Sequence, residues 1–310
     1  MTLTEDRAER VSILHEVARS NGSLLSIRDL LPLMPEHTSE DQLMDAINSL
    51  PSLSSRLALK EGFIVEKADS GSSSSVLTSE VVNRSRAAAN LRFARDFLPL
   101  LASSHFKMVA ISGSTSYLSV SRSSDLDFFC VAPAGRMWIS LVRALIFARV
   151  FRLLHSDAPQ LCLSCIMDED YAVAAFSSDQ GPLFARDALT TLVVDGAPCY
   201  QRLLGNASWI SDIFPRAYRE RLEPVAGQPQ PIKQPPFAPR FLNLLLSFVG
   251  GAYIRFKSKK LNRSLEARGA SDGVFKVMSA SDHLIYESRR YSNLRRNYAS
   301  MLSKSTPELR

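Results

Sequence analysis

The sequence predicts an α/β (α+β) protein: a mixed sheet covered by helices, with a small N-terminal unit before it and a C-terminal helical region after it. Apolar strand-like runs alternate with helical patterns between residues 107 and 167. Ser-rich and Pro-rich stretches divide the 310-residue chain, whose 45% hydrophobic content is ordinary for a globular protein. The expected parts are, in order, a domain at 1–66, a flexible Ser-rich linker at 67–79, a domain at 80–215, a Pro-rich hinge at 216–239 and a basic helical region at 240–310.

Composition argues against a secreted or membrane-spanning protein. The N-terminus is acidic and amphipathic rather than basic and apolar, so we expect no signal peptide. The most apolar runs are Met137–Leu154, which three arginines interrupt, and Phe241–Ile254, which is too short to cross a bilayer. The four cysteines are sparse and mostly lie in apolar runs, which suits a reducing compartment. We therefore expect a cytoplasmic protein with no membrane partner.

The N-terminal unit has the element order of a winged helix-turn-helix. Apolar residues at helical spacing predict a first helix over 5–20, a short second one over 28–34 and a third over 40–50, which Ser39 caps. Two short extended runs then surround a turn at Glu61-Gly62. Because the third helix is acidic, a docking or dimerising module is favoured over a DNA-binding one, which stays the alternative.

The central unit reads as a series of alternating helices and strands. Its predicted elements are a helix over 80–101, a strand over Lys107–Ser112, a Gly-Ser turn with a short helix, a strand over Leu126–Ala132, a helix over Arg136–Leu154 and a strand over Gln160–Met167. Such alternation predicts a mixed sheet with helices on its faces. Two longer helices, Phe241–Lys260 and Asp282–Lys304, are expected beyond the hinge.

The residues with the clearest chemical meaning lie between Gly113 and Asp127. Gly113 and Ser114 follow a buried strand and begin a helix, where backbone N–H groups can hold phosphate oxygens. Asp125 and Asp127 flank Leu126 at the start of the next strand, so both carboxylates project from one face. Paired carboxylates repel unless a cation lies between them, and magnesium takes one or two carboxylates together with phosphate oxygens. The stretch predicts a nucleotide site with a divalent metal.

This arrangement resembles a family signature. Gly113-Ser114, ten residues and then Asp125-Leu126-Asp127-Phe128 are similar to the motif of the polymerase-β-like nucleotidyltransferase superfamily. The resemblance implies a small mixed sheet and transfer of a nucleoside monophosphate from a nucleoside triphosphate to an acceptor: a small molecule, a protein or RNA. It also implies that Gly113 and Ser114 hold the triphosphate and that Asp125 and Asp127 ligate Mg²⁺ (or Mn²⁺). More loosely, residues 161–215 resemble little-characterised bacterial nucleotidyltransferase-domain proteins.

A third carboxylate, on a following strand, usually completes that family's site. The strand Leu161–Met167 contains no acid, so Asp168 at its end is the candidate, ahead of Glu169 and Asp170. This departure leaves a second hypothesis open, a degenerate protein that binds nucleotide without turnover. Arg122, just before Asp125, is read as a phosphate contact or as a surface residue.

Two further patterns allow alternative interpretations. Cys162 and Cys165 form a C-x-x-C, but no second pair follows at zinc spacing, so buried thiols are favoured over a metal or redox site. From Arg240 onward 14 Lys or Arg face 5 Asp or Glu, which favours an anionic partner such as nucleic acid. Basic and aromatic residues alternate between Tyr286 and Tyr298, either as a nucleic-acid surface or as an ordinary helix with a buried tyrosine stripe.

Overall fold

The architecture is mixed α/β with two sheets, as the sequence predicts. The computed structural model describes residues 5–20, 22–35, 38–69, 73–102, 104–118, 120, 125–222 and 240–302. The helices are α1 (Glu5–Ser20), α2 (Ile27–Leu30), α3 (Glu40–Ser49), α4 (Pro51–Ser54), α5 (Ser73–Ala102), α6 (Gly113–Ser116), α7 (Met137–Leu154), α8 (Glu169–Ser177), α9 (Pro182–Thr190), α10 (Ala197–Gly205), α11 (Trp209–Ile213), α12 (Pro215–Leu222), α13 (Arg240–Ala267) and α14 (Arg289–Leu302). The strands are β1 (Leu25–Ser26), β2 (Leu57–Lys60), β3 (Phe63–Glu66), β4 (Met108–Ser112), β5 (Leu126–Ala132), β6 (Leu161–Asp168), β7 (Leu192–Asp195), β8 (Phe275–Ser279) and β9 (His283–Ser288).

The first 66 residues form a small sheet with helices packed on it. Its three antiparallel strands lie in the order β1-β3-β2. Ser39 and Gln42 make the expected capping box at the start of α3, which satisfies two backbone N–H groups of its first turn. Leu14, Leu43 and Ile47 are buried between the helices. Local capping and helical spacing therefore account for this unit.

The Ser-rich segment is less of a linker than its composition suggests. Residues 67–69 form a 3₁₀ turn and α5 already begins at Ser73, so most of the expected linker is helical, while 70–72 lie outside the described residues. Serine tolerates a helix, and tertiary contacts override its modest propensity. The carboxylate of Glu80, buried in α5, accepts a hydrogen bond from the backbone N–H of Leu24 at 3.4 Å. This contact joins α5 to the N-terminal unit.

A six-stranded mixed sheet forms the centre of the molecule, in the order β7-β4-β5-β6-β9-β8. β4 and β5 are antiparallel, whereas β5 and β6 are parallel and are joined through α7. Alternate residues of β5 enter different cores: Phe128 packs with Phe97 of α5 and Phe151 of α7, and Phe129 stacks on Phe176 of α8. Helices therefore cover both faces of the sheet.

The C-terminal region differs from the expected pair of helices. Between α13 and α14 the chain forms a hairpin, β8–β9, and the helix expected over Asp282–Lys304 begins only at Arg289. β9 pairs antiparallel with β6, and Leu284 of β9 is buried. Because β9 pairs with β6, the hairpin β8–β9 belongs to the central sheet. The region at 240–302 is therefore not a separate helical unit.

The Pro-rich hinge expected at 216–239 begins as a helix, since α12 continues to Leu222. Residues 223–239 lie outside the described residues. Among the residues that the structure describes, no helix combines the length and the apolar character needed to cross a bilayer.

Candidate functional site

The turn at Gly113 joins β4 to the short helix α6. Gly113 has φ +64°, in the left-handed region that favours glycine. The first N–H groups of a helical turn have no partner within the helix, so they are available to an anion. Ser116 Oγ donates to the carbonyl of Gly113 at 2.8 Å, which holds the turn in shape. Ser114 is the second residue of this turn and is partly exposed.

Asp127 lies directly against this turn. Ser112, the last residue of β4, pairs with Asp127 of β5. A β-carbon placed on Gly113 would stand 2.6 Å from Asp127 Oδ2, closer than real contacts allow. Two features therefore favour glycine at position 113: the positive φ of the backbone and the carboxylate that lies beside it. The pairing of β4 with β5 is what brings turn and carboxylate together.

The two predicted metal ligands are close enough to influence each other. The pKa of Asp127 is raised to about 6, mainly by burial and also by the charge of Asp125, while hydrogen bonds from Cys162 and Ser164 oppose the rise. Burial also raises the pKa of Asp125, against the attraction of Arg152. A bound cation would lower the pKa of both Asp125 and Asp127, because it favours the charged form of each carboxyl group.

The remaining neighbours of the carboxylates are neutral donors. Ser164 Oγ donates to Asp127 Oδ1 at 3.4 Å, and Gln160 Nε2 donates to Asp125 Oδ2 at 3.3 Å. Within the described residues, no three His, Cys, Asp or Glu side chains come together as a ready-made metal centre. The donor set nevertheless fits magnesium, which needs only one or two protein carboxylates when water and substrate phosphates complete its octahedron.

Asp168 lies at the other end of the sheet from these carboxylates. In the parallel pairing of β5 with β6, Cys162 is opposite Asp127 but Asp168 is opposite Ala132. Five residues of strand separate the two positions, about 16 Å. The Asp168 carboxylate instead accepts hydrogen bonds from the backbone N–H groups of Tyr171 at 3.0 Å and Gly135 at 2.9 Å. The assignment of Asp168 as the third carboxylate is therefore corrected: it caps α8.

The neighbouring acids do not replace it. Glu169 forms ion pairs with Lys107 and Arg202, away from the turn. The position on β6 opposite Asp127 is occupied by Cys162, whose thiol donates to Asp127. Arg122 lies outside the described residues. Cys162, Ser164, Gln160 and Arg152 were not expected at the site, and only the register of β6 against β5 reveals them.

The thiols of the C-x-x-C are protonated rather than reactive. Burial, followed by the charges of Asp127 and Asp125, raises the pKa of Cys162, and burial raises the pKa of Cys165 to about 12. Redox-active and metal-binding cysteines have lowered pKa values. No disulfide joins them. Both residues are partly buried, and their raised pKa values argue against a redox or metal role.

A buried polar cluster fixes the residue that follows the turn. The hydroxyl of Tyr117 donates to the Asp187 carboxylate, and the Arg186 guanidinium lies 4.3 Å from the centre of the Tyr117 ring. Tyr291 of α14 also hydrogen-bonds Asp187. Nη1 of Arg186 has no hydrogen-bond partner among the described residues. These contacts connect the turn to α9 and α14. The spacing of the residues in the sequence did not predict this cluster.

The structure thus unites the turn with the carboxylates of Asp125 and Asp127 and leaves Asp168 outside. Comparisons of the chain with protein-family models, curated proteins and solved structures find no match.

Proposed function

We propose that the chain is a magnesium-dependent nucleotidyltransferase whose central sheet has the polymerase-β-like nucleotidyltransferase fold. Gly113 and Ser114 hold the phosphates of a nucleoside triphosphate, and Asp125 and Asp127 ligate Mg²⁺ or Mn²⁺. The observation that carries the proposal is the contact between the Gly113 turn and the Asp127 carboxylate. It puts a turn with free backbone N–H groups beside a carboxylate, so groups able to hold phosphate and metal are neighbours, as phosphoryl transfer requires.

The chemistry is a displacement at the α-phosphorus. An oxygen of the acceptor forms a bond to that phosphorus, the bond to the bridging oxygen breaks, and pyrophosphate leaves while the acceptor proton passes to water. Bound Mg²⁺ supplies neutralisation of the charge on the phosphoryl oxygens. Asp125 and Asp127 orient the metal, and the turn orients the triphosphate. The acceptor is a small molecule, a protein or an RNA.

A second candidate is nucleotide binding without turnover. One observation favours it: Cys162 and Ser164 are the β6 side chains that contact Asp127, so the strand offers a thiol and a hydroxyl in place of a carboxylate. Such a site retains ligands for a metal nucleotide but has no side-chain base for the acceptor proton.

Label transfer separates the two candidates. The protein is incubated with each α-labelled nucleoside triphosphate, Mg²⁺ or Mn²⁺, and cell lysate or RNA. Nucleotide binding is measured in parallel by equilibrium dialysis. The variant Asp125→Asn plus Asp127→Asn should lower transfer roughly hundredfold, whereas Asp157→Asn, an exposed acid elsewhere, should not.

Each outcome has one meaning. Transfer that the double variant abolishes supports the enzyme. Metal-dependent nucleotide binding without transfer, lost in the same variant, supports the binding protein. Transfer that survives the double variant, or no nucleotide binding by the parent chain, contradicts the site.

The N-terminal unit supports a docking role rather than DNA reading. The order of its helices and its β1-β3-β2 sheet support our proposal that it is a winged-helix-like unit. α3, at the position of a recognition helix, carries Glu40, Asp41 and Asp45 and no basic residue. An acidic helix repels DNA phosphates. We therefore propose that this unit docks on protein and not on DNA. Within the chain it already contacts α11, where Arg10 donates a hydrogen bond to the carbonyl of Ile213 at 2.7 Å.

A further inference from the structure

The helix α13 exposes a long apolar face to solvent. Phe241, Phe248 and Phe256 have 73%, 76% and 73% of their surface exposed. They recur at intervals of seven and eight residues, so they lie on one side of the helix. The other exposed apolar residues of its first half are Leu242, Leu244, Leu245, Val249 and Tyr253. Over four turns, this helix is apolar on its outer side.

The inner side of α13 is fixed, so this face cannot turn inward. Asn243 is buried: its side-chain oxygen accepts from the Trp138 backbone N–H at 2.9 Å, and its amide donates to the Ser281 carbonyl at 3.0 Å. A β-carbon on Gly250 would stand 2.4 Å from the Trp138 ring. Close packing on Trp138 therefore sets the rotation of α13 about its axis.

The neighbouring helix α7, which carries Trp138, is also apolar on its exposed side. Its exposed large residues are Leu145, Ile146, Val150, Leu153 and Leu154. Single exposed apolar residues are normal on soluble proteins, but contiguous sets of this size mark contact surfaces. The two helices together offer such a surface.

The charge of α7 and α13 indicates which kind of partner binds this surface. α7 contains Arg143, Arg149 and Arg152 and no acid, and α13 contains six basic residues and one acid, Glu266. The basic residues of α13 concentrate in its second half. There, Arg255, Lys259 and Arg263 line an open groove of about 400 Å³ between α13 and β8, together with Glu266, so the groove is cationic on balance. On α13 the apolar residues thus precede the basic ones, whereas on α7 exposed arginines lie among the apolar residues.

We propose that α7 and α13 form a surface that binds an anionic phospholipid bilayer. The phenylalanine side chains enter the interface between headgroups and acyl chains, and the groove with Arg255, Lys259 and Arg263 receives headgroup phosphates. A helix with aromatic and aliphatic residues on one part and Lys and Arg on the other is the composition that binds in the plane of a membrane. The attachment is peripheral, and it would replace the sequence-based expectation of no membrane partner. Arg152 of α7 lies close enough to Asp125 to affect its pKa, so the variants that test the surface are confined to α13.

Other occupants match the surface less well. A second copy would bring the cationic surface against itself, nine basic residues facing nine with one acid on each side. Duplex nucleic acid would pair with the groove but would leave the phenylalanines in water, and single strands could stack on the rings but would leave the exposed aliphatic residues, such as Leu244 and Val249, uncovered. An anionic bilayer satisfies both halves, and the cytoplasmic leaflet carries that charge.

Vesicle sedimentation with the full chain tests the proposal. Vesicles of phosphatidylcholine alone are compared with vesicles that also contain phosphatidylglycerol, at low and high salt. We expect binding to the anionic vesicles that weakens with salt. Phe248→Ser plus Phe256→Ser should weaken it roughly tenfold, and so should Lys259→Gln plus Arg263→Gln. The matched controls on α5 are Val81→Ser plus Val82→Ser and Arg92→Gln, all exposed positions, which should bind as the parent chain does.

Three results would overturn it. The first is no sedimentation with anionic vesicles. The second is sedimentation that the α13 variants leave unchanged although their thermal unfolding matches that of the parent chain. The third is a concentration-dependent dimer, or a complex with RNA, that the α13 variants disrupt while vesicles capture nothing.

Discussion

Gly113 lies directly against Asp127: a β-carbon at position 113 would stand 2.6 Å from Asp127 Oδ2, so any other residue there must displace that carboxylate. The contact joins the phosphate turn to the metal carboxylate, so a change in one must displace the other. Five predictions concern this contact, the residues beside it and Asp168, which lies away from it.

Gly113→Ala should destabilise the fold and weaken nucleotide binding together. Its φ of +64° alone costs an alanine about 1–3 kcal/mol, and the clash with Asp127 adds to that. Gly62→Ala is the matched control, because Gly62 has φ +80° but no atom within 4 Å of an added β-carbon. Urea unfolding and nucleotide binding report both effects. Equal losses of unfolding free energy in the two variants would show that the carboxylate contact is unimportant.

Asp127 should make folding stability depend on pH near 6. Its pKa is raised in the folded state, so between pH 4 and 6 the native protein binds more protons than the unfolded chain. Stability therefore falls as pH rises through this window, by on the order of 2–3 kcal/mol, and levels off above it. Asp127→Asn should remove that slope in unfolding curves measured without metal. A slope unchanged in the variant would assign it to another group.

Magnesium affinity should show the opposite trend with pH, because the metal requires the ionised carboxylate. Below pH 6 the affinity of the nucleotide complex should rise about tenfold per pH unit, and above it the affinity should be constant. Calorimetric titration at a series of pH values measures this. A flat profile between pH 4.5 and 6 would exclude Asp127 as a ligand.

Asp168→Ala should reduce stability and leave the nucleotide site intact. Loss of the α8 cap costs about 0.5–2 kcal/mol, and the Gly135 N–H loses its partner as well. Asp168→Asn keeps one acceptor oxygen and should be milder. Unfolding free energy is compared with magnesium-dependent nucleotide binding. Weakened binding in Asp168→Asn at unchanged stability would return Asp168 to the metal site.

Cys162→Asp should place a carboxylate on β6 opposite Asp127, at the strand position where the resemblance expects one. We expect magnesium to bind about tenfold more tightly, because a third anionic ligand joins the site. Without metal the same variant should be less stable, since a second buried carboxylate repels Asp127. Cys162→Asn controls for size and polarity. Magnesium affinity equal in the two variants would mean that residue 162 does not face the metal.

The sequence predicted the residues of the site that lie close together in the chain, the Gly113 turn and the carboxylates of Asp125 and Asp127. Gly113 directly follows β4, Asp125 directly precedes β5, and Asp127 lies within β5; because these two antiparallel strands are consecutive in the chain, the order of the residues already implies contact. Asp168 was misplaced because its position depends on strand direction. The crossover through α7 makes β5 and β6 parallel, which puts the end of β6 beside the end of β5 and far from Asp127.

The elements that the sequence did not predict are those that long-range pairing decides. Residues 283–288 were expected to be helical, but they form a strand that pairs with β8 in a hairpin and with β6, more than 100 residues earlier. α5 begins within a serine run that composition assigns to a linker, and its buried Glu80 accepts a hydrogen bond from Leu24 of the N-terminal unit. Neither partner is visible from the segment's own residues.

The pairing of β9 with β6 has a consequence for synthesis on the ribosome. Until residue 288 has left the exit tunnel, β6 has a partner on one side only, and its other edge presents unpaired backbone groups in a strand with apolar flanks. A nascent or truncated chain that ends before the hairpin therefore exposes a template for aggregation. The last quarter of the protein supplies two strands, β8 and β9, of a sheet whose first strand begins at residue 108.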